Sequence, residues 1–390
     1  MPAAELHDFA YEDFAGNALH TLLRENRERG PVQPALFGGE PAFLICGHQA
    51  LAEAFRDNNQ FPPADAYRIT IEPVQGVTFQ TMEGAQHRLY RRLATPAFQS
   101  RVVDAMEQDG LARIAHELID RLGTRRSADF AHDFTHRVAF AVISRMLGIP
   151  TDREDDFRDW AVGFLEFPRD PVHSRKCAEQ ITHYLLPILA ERRRAPRDDI
   201  LSGLVAAEVD GRRLTDEEIL AHIRLLFSAG ASTTTDALGN LVYTLLAEPA
   251  RWQALLAEPA LRAGAIEELL RWETPVAILP RLSAPRTVVF HGTEIPPATF
   301  CLFAIAAANR DPAVFDQPDV FDMHRDSSKK LLSFGPGPRL CPGMHLARRQ
   351  LAVALDVILE RLPGLHLLEP EDAVPRGAIL RGPARLAVGW

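Results

Sequence analysis

The sequence predicts a mainly α chain with a small β-rich region, organised as a single large domain over residues 1–390 around one long central helix. Three observations carry this expectation. Apolar residues recur at helical spacing through most of residues 100–246. Thr215-Asp-Glu-Glu218 is a capping box, and the pattern behind it runs to about Leu246, about 48 Å of helix at about 1.5 Å per residue. From Ile278 the texture changes to short strand-like runs punctuated by glycine and proline.

Taken in order, residues 15–29 read as a helix closed by Gly30-Pro31, Ala42–Cys46 as a strand, and Gln49–Arg56 as a second helix. Between Asn58 and Met82 periodicity is lost among Pro62, Pro63, Pro73 and Gly76, which reads as a lid or as an irregular surface loop. A cation-rich helix starts at Gly84. His87 and Arg91 share a face there, suiting a carboxylate or phosphate partner or else a solvated basic face.

Val102–Leu122, Phe130–Leu147, Arg153–Phe167 and Val172–Arg194 follow as helices, with Pro187 a candidate kink. The basic run Glu191–Arg197 reads as a solvated helix end. Asp210-Gly211 marks a turn before the long helix.

The middle of that helix, Ser228-Ala-Gly-Ala-Ser-Thr-Thr-Thr-Asp236, is poor in helix formers. It reads either as a small-residue packing surface or as a local widening beside a ligand, with a hydroxyl pointing into it. Ala265–Trp272 is amphipathic, and Glu268 and Arg271 are spaced for an ion pair, usually weak when exposed. Val288–Ile295 resembles a hairpin, Thr299–Ile305 a buried strand, Asn309–Arg325 a polar meander, and Met344–Leu362 a helix. Gly364–Trp390 returns to strands and turns.

Composition sets limits on function. The chain is 46% hydrophobic and 24% charged, with a net charge of −9, which argues against general nucleic-acid binding. Cys46, Cys177, Cys301 and Cys341 are widely spaced with no C-x-x-C pair, so neither a disulfide framework nor a structural zinc site is expected. A polar start without an apolar leader predicts a cytoplasmic protein with no membrane association.

The most distinctive stretch is Leu332-Ser-Phe-Gly-Pro-Gly-Pro-Arg-Leu-Cys-Pro-Gly-Met-His-Leu346. Phe334, Gly337, Arg339, Cys341 and Gly343 spell F-x-x-G-x-R-x-C-x-G. Glycines allow close backbone approach, prolines fix dihedral angles, and a cysteine just before a helix sits where the dipole favours the thiolate. A buried, inert cysteine is the alternative for such a residue taken alone. Zinc on Cys341 and His345 fails for want of further clustered ligands.

Together, the capped helix with its Ala-Gly-x-x-Thr-Thr, then E-x-x-R, then Asn-Arg-Asp-Pro, then the cysteine loop resemble the cytochrome P-450 superfamily of haem-thiolate monooxygenases. The resemblance implies that family's fold, with the long helix crossing over the haem. It implies haem b, with Cys341 as the thiolate ligand of the iron. His87, Arg91, Arg281 and Arg339 match positions that hold the haem propionates. Phe334 matches the aromatic residue beside the thiolate, and Gly337 and Gly343 permit the turn and close approach to the porphyrin. Thr233 matches the alcohol that steers protons to dioxygen, and Ala229 and Gly230 match the oxygen groove. Glu268 and Arg271 match a structural pair. Leu226, Val276, Ile278 and Ile379 match pocket positions for a small apolar substrate.

Further implications are a monomer fed with electrons from NAD(P)H through a ferredoxin-type donor and its reductase. Arg88, Arg92 and Arg348 are candidates for a basic docking patch. One departure stands out: the family's usual acid before the threonine is replaced by Ser232. Relay through Ser232 and water, leakier oxygen activation, or help from a polar substrate each follow from that change. A peroxide-driven peroxygenase is the rival within haem-thiolate enzymes, and a non-catalytic haem sensor is the rival outside them.

Overall fold

The first helix, α1 (Ala18–Arg29), ends where Gly30 takes a φ of 144°. These and the following elements come from a computed structural model that describes residues 6–100, 103, 110–165, 170–209 and 211–390. Strands β1 (Val32–Phe37) and β2 (Glu40–Ile45) form an antiparallel hairpin through Gly38 and Gly39, both at positive φ as a tight hairpin turn requires. Sequence reading missed β1. Pro34 argues against an interior strand, and β1 is an edge strand where proline is tolerated.

After α2 (His48–Arg56), the stretch expected to be irregular holds two short helices, α3 (Pro63–Thr70) and α4 (Glu72–Gln75), then a 3-10 turn over Phe79–Thr81. The prolines that looked like breakers stand at helix starts, where a missing N–H costs nothing. Gly76, at φ 85°, ends α4, and Thr78 and Thr81 form a reciprocal capping box. Helix α5 (Gly84–Ala94) follows as expected.

Next come α6 (Leu111–Asp120), β3 (Ser127–Asp129), a π turn over Ala131–Thr135 leading into α7 (His136–Leu147), α8 (Glu154–Leu165), α9 (Pro171–Arg194) and α10 (Ile200–Ala206). The first part of the expected Val102–Leu122 helix, the last residues of Arg153–Phe167, and Asp210 lie outside the described residues. Pro187 does not divide α9. It faces outward, so the carbonyl that its missing N–H leaves free can meet water. The basic run is only partly solvated, because Arg192 is 2% exposed, pairs with Asp199 at 2.6 Å and donates to the Gly148 carbonyl at 2.9 Å.

A short hairpin, β4 (Glu208–Val209) with β5 (Arg212–Arg213), precedes the central helix α11 (Asp216–Leu246). The Thr215–Glu218 capping box is formed in both directions, at 3.2 and 2.9 Å. Around α11 lies the main core, drawn from α6, α7, α9, α15 and the helix pair α12 (Pro249–Ala257) and α13 (Leu261–Trp272). Here α15 is Met344–Arg361.

The β-rich part is small. In the four-stranded sheet β1-β2-β9-β6, β9 (Phe300–Phe303) lies parallel to β2 and antiparallel to β6 (Leu279–Leu282). β7 (Val288–Phe290) and β8 (Thr293–Ile295) make the expected hairpin, and α14 (Ile305–Ala308) leads into the meander. β10 (His366–Leu367) and β11 (Ala387–Gly389) join β3 in a second sheet. No helix among the described residues is long and apolar enough to cross a membrane.

Candidate active site

The cysteine loop is held from three sides. Asn309 accepts from the Leu332 backbone N–H at 2.8 Å and donates to Ser333 Oγ at 2.8 Å; Ser333 in turn donates to the Leu270 carbonyl at 2.5 Å. The Cys341 N–H donates to the Phe334 carbonyl at 2.9 Å, which closes the loop on itself. Gly337 sits at φ 97°, and a β-carbon there would stand 3.2 Å from the Phe55 carbonyl oxygen, so this position requires glycine. Gly343 is the residue before α15, and a β-carbon there would lie 3.9 Å from Cys341 Sγ.

Burial pushes the Cys341 thiol up, against the opposing effects of the Gly343 N–H, Arg91 and Arg348. A bound metal cation reverses this balance, since a coordinating thiol is deprotonated outright. The other three cysteines are buried; the thiols of Cys46 and Cys301 are pushed up to about 12, as inert core residues should be.

Behind the loop, Glu268 and Arg271 on α13 form a fully buried pair at 2.6 Å, not a weak surface one. Arg271 also donates to the Asn309 and Pro318 carbonyls at 2.9 and 2.8 Å. Glu268 accepts from Arg325 at 3.1 Å and from the Asp322 N–H at 3.0 Å. The pair is thus the pin on which the meander is folded.

One histidine and three arginines, from α5, β6 and the cysteine loop, act on one another. His87 (α5) is 5% exposed, and its Nε2 has no hydrogen-bond partner among the described residues. Burial, then Arg339, Arg91 and Arg88, push its pKa down to about 4. Arg339, in the cysteine loop, donates to the carbonyls of Phe79 at 3.0 Å and Met82 at 2.5 Å, and pairs with Glu83 at 2.8 Å. Arg281 (β6) lies 5.0 Å from the Tyr67 ring centroid, and Arg91 donates to the Leu340 carbonyl. A partnerless imidazole nitrogen beside arginines fits a ligand that brings carboxylates. The two propionates of haem have that chemistry, so the residues present fit the group.

On the central helix, Ser232 donates to the Ser228 carbonyl and Thr233 to the Ala229 carbonyl, each at 2.8 Å. Despite these bonds α11 stays α-helical throughout, so the expected widening is not present. Gly230 serves close packing, since a β-carbon there would stand 3.0 Å from Ile143 on α7. Ala229 is exposed and Gly230–Thr233 half-buried, with buried residues on either side of this stretch.

Of the expected pocket residues, Val276 and Ile379 are brought together: Val276 bridges to Leu380, and the Ala277 N–H donates to the Ile379 carbonyl at 3.1 Å. Ile278 is fully buried in the cluster with Leu44 and Leu302. Leu226, 5% exposed, belongs to the main core. Arg348 is not a free docking cation. It pairs with Glu267 at 2.5 Å and lies 4.6 Å from the Phe334 ring centroid.

Sequence reading missed a buried network. Glu273 pairs with His20 at 3.0 Å and with Arg381 at 2.6 Å, and Arg310 stands 4.0 Å away. Its members are far apart in the chain, and no spacing signals them.

The loop, the pin and the cation cluster are the parts of a haem-thiolate monooxygenase. The cytochrome P-450 family model matches residues 8–386. Among relatives, cytochrome P-450 107B1 of Saccharopolyspora erythraea is 32% identical over 100% of this chain and 99% of its own length. Mycinamicin IV hydroxylase/epoxidase of Micromonospora griseorubida is 33% identical over the full length of both. The solved structure of the bacillaene polyketide synthase cytochrome P-450 PksS of Bacillus subtilis superposes with a TM-score of 0.87 at 27% identity, covering 95% of this chain and 96% of that one. The chain belongs to the cytochrome P-450 family.

Proposed function

We propose that this enzyme takes two electrons from NAD(P)H through a separate ferredoxin-type donor and its reductase, and hydroxylates a small, largely apolar substrate. It works as a single-domain monomer in the cytoplasm, and the compartment is supported by four cysteines that form no disulfide among the described residues. Bound through Cys341, haem would supply the dioxygen-activating chemistry. His87, Arg91, Arg281 and Arg339 hold the propionates, and the orphaned His87 Nε2 is the observation that carries this reading. Glu268 and Arg271 keep the meander and the cysteine loop in place. Ser232 and Thr233 present hydroxyls on the accessible part of α11, where they can pass protons. Ala229, Val276 and Ile379 give the substrate an apolar surround. Arg88 is the cation for donor docking; Arg92, like Arg348, has an interaction of its own.

The reduced protein with carbon monoxide should show the strongly red-shifted Soret band of cysteinate ligation, and Cys341→Ser should abolish it. A wild-type spectrum without that band would sink the assignment. The loss of the acid at Ser232 favours one second reading, the peroxygenase. Turnover with peroxide alone, and none with ferredoxin, would establish it.

A further inference from the structure

Between Ile219 and Val242 the residues of α11 are buried except at two places, Ala229–Thr233 and Asp236. Residues three apart on a helix are neighbours, with about 5–6 Å between β-carbons, so Asp236 extends the accessible patch that holds Thr233. Its carboxyl is wedged against the backbone of Gly382. A β-carbon at Gly382 would come within 2.4 Å of Asp236 Oδ1 and 2.8 Å of its Cγ. The packing that places it there is tight. A β-carbon at Gly239 would stand 2.8 Å from Pro383, and Asn240 Nδ2 donates to the Arg381 carbonyl at 2.9 Å.

No ion pair or side-chain hydrogen bond reaches the Asp236 carboxyl among the described residues. Charged groups on the neighbouring elements are engaged elsewhere: Arg381 with Glu273, Arg376 with Asp13, Asp133 with Arg125, Arg271 with Glu268, and Asp356 with Arg262. One turn further along, Asn240 Oδ1 is buried without a donor among the described residues. A protonated carboxyl is a donor of the kind that atom lacks.

We propose that Asp236 is the acid of the proton path, standing in for the carboxyl that Ser232 does not supply. It acts as a positioning and relay residue, because its proton travels through water to the Ser232 or Thr233 hydroxyl. Both hydroxyls donate backwards to helix carbonyls and keep oxygen lone pairs free to accept. The inference rests on the monooxygenase reading. One turnover combines O2, substrate R–H, two electrons from the ferredoxin-type donor and two protons to give R–OH and water. Asp236 gives up one carboxyl proton to that sum and regains one from solvent, so its O–H bond breaks and re-forms without net change. Burial alone pushes its pKa up to about 7, so the protonated form is available near neutrality.

The test uses haem-loaded wild type, Asp236→Asn, and Asp236→Asn with Ser232→Asp. Infrared difference spectra in H2O and D2O, with labelled aspartate, should show a protonated carboxyl in wild type. That signal should titrate away near the acid's pKa and be missing from Asp236→Asn, whether or not a substrate is known. With substrate, Asp236→Asn should slow product formation about 100-fold and lower product formed per NADH, with peroxide making up the difference. Wild-type coupling should fall as pH rises, the variant should show no such dependence, and Ser232→Asp should restore coupling. An Asp236 ionised throughout the titration, or unchanged coupling in Asp236→Asn, overturns the proposal. Should Asp236→Asn fail to load haem, the wild-type titration decides alone. A missing cysteinate spectrum in wild type would instead bring down the underlying reading.

Discussion

Asp236 shows how one uncompensated group changes the response of the whole protein to pH. Its folded-state pKa, about 7, lies above the ordinary 3.8, so the unfolded chain releases this proton first as pH rises. Below both values the group costs the fold nothing. Between them stability declines with each pH unit, and above about 7 the decline stops, at most about 4 kcal/mol down. Urea unfolding of wild type and Asp236→Asn should therefore diverge between those two pH values, in favour of the variant, and run parallel above them. Parallel behaviour throughout would mean that the carboxyl is solvated. Residue identity made Cys341 and its loop readable from sequence, because F-x-x-G-x-R-x-C-x-G is a pattern along the chain. Thiol ionisation was not readable in the same way, since desolvation depends on what packs around Sγ.

Element by element, periodic helices were legible and their exceptions were not. The capping box at Thr215 announced α11 from local chemistry alone, and the structure forms it in full. α3 and α4 were hidden by prolines that start helices as well as break them, and α12 drew no signal in front of its Pro249. Spacing exposed the Glu268–Arg271 pair but not its depth. A surface pair is worth little, whereas removing one partner of a buried pair leaves a charge uncompensated. Arg271→Met should lower unfolding stability by about 3–5 kcal/mol and loosen the meander, read by urea midpoint and by proteolysis near Pro318. An unchanged midpoint would show that the backbone carbonyls of Asn309 and Pro318 were not relying on Arg271.

For the molecule as a whole, the His20–Glu273–Arg381 network joins α1, the end of α13 and the turn before β11. Burial and Arg310 push His20 down to about 4, below its ordinary 6.5. The unfolded chain then binds the extra proton first, so stability is complete above about 6.5 and lost as pH falls towards 4. The loss is about 3 kcal/mol. His20→Gln should flatten this acid limb in thermal melts between those values; an unaltered limb would place the acid sensitivity elsewhere.

The same network bears on how the chain is made. Glu273 depends on His20, 253 residues earlier, and on Arg381, 108 residues later. During synthesis the helices before it can pack, yet burying this carboxylate before Arg381 has emerged would leave it short of a partner. The Arg381 half of this pairing is therefore complete only when residues 376–383 are in place. A chain ending before Arg381 would leave the Glu273 carboxylate buried without that guanidinium and should be cut faster by protease than the whole chain.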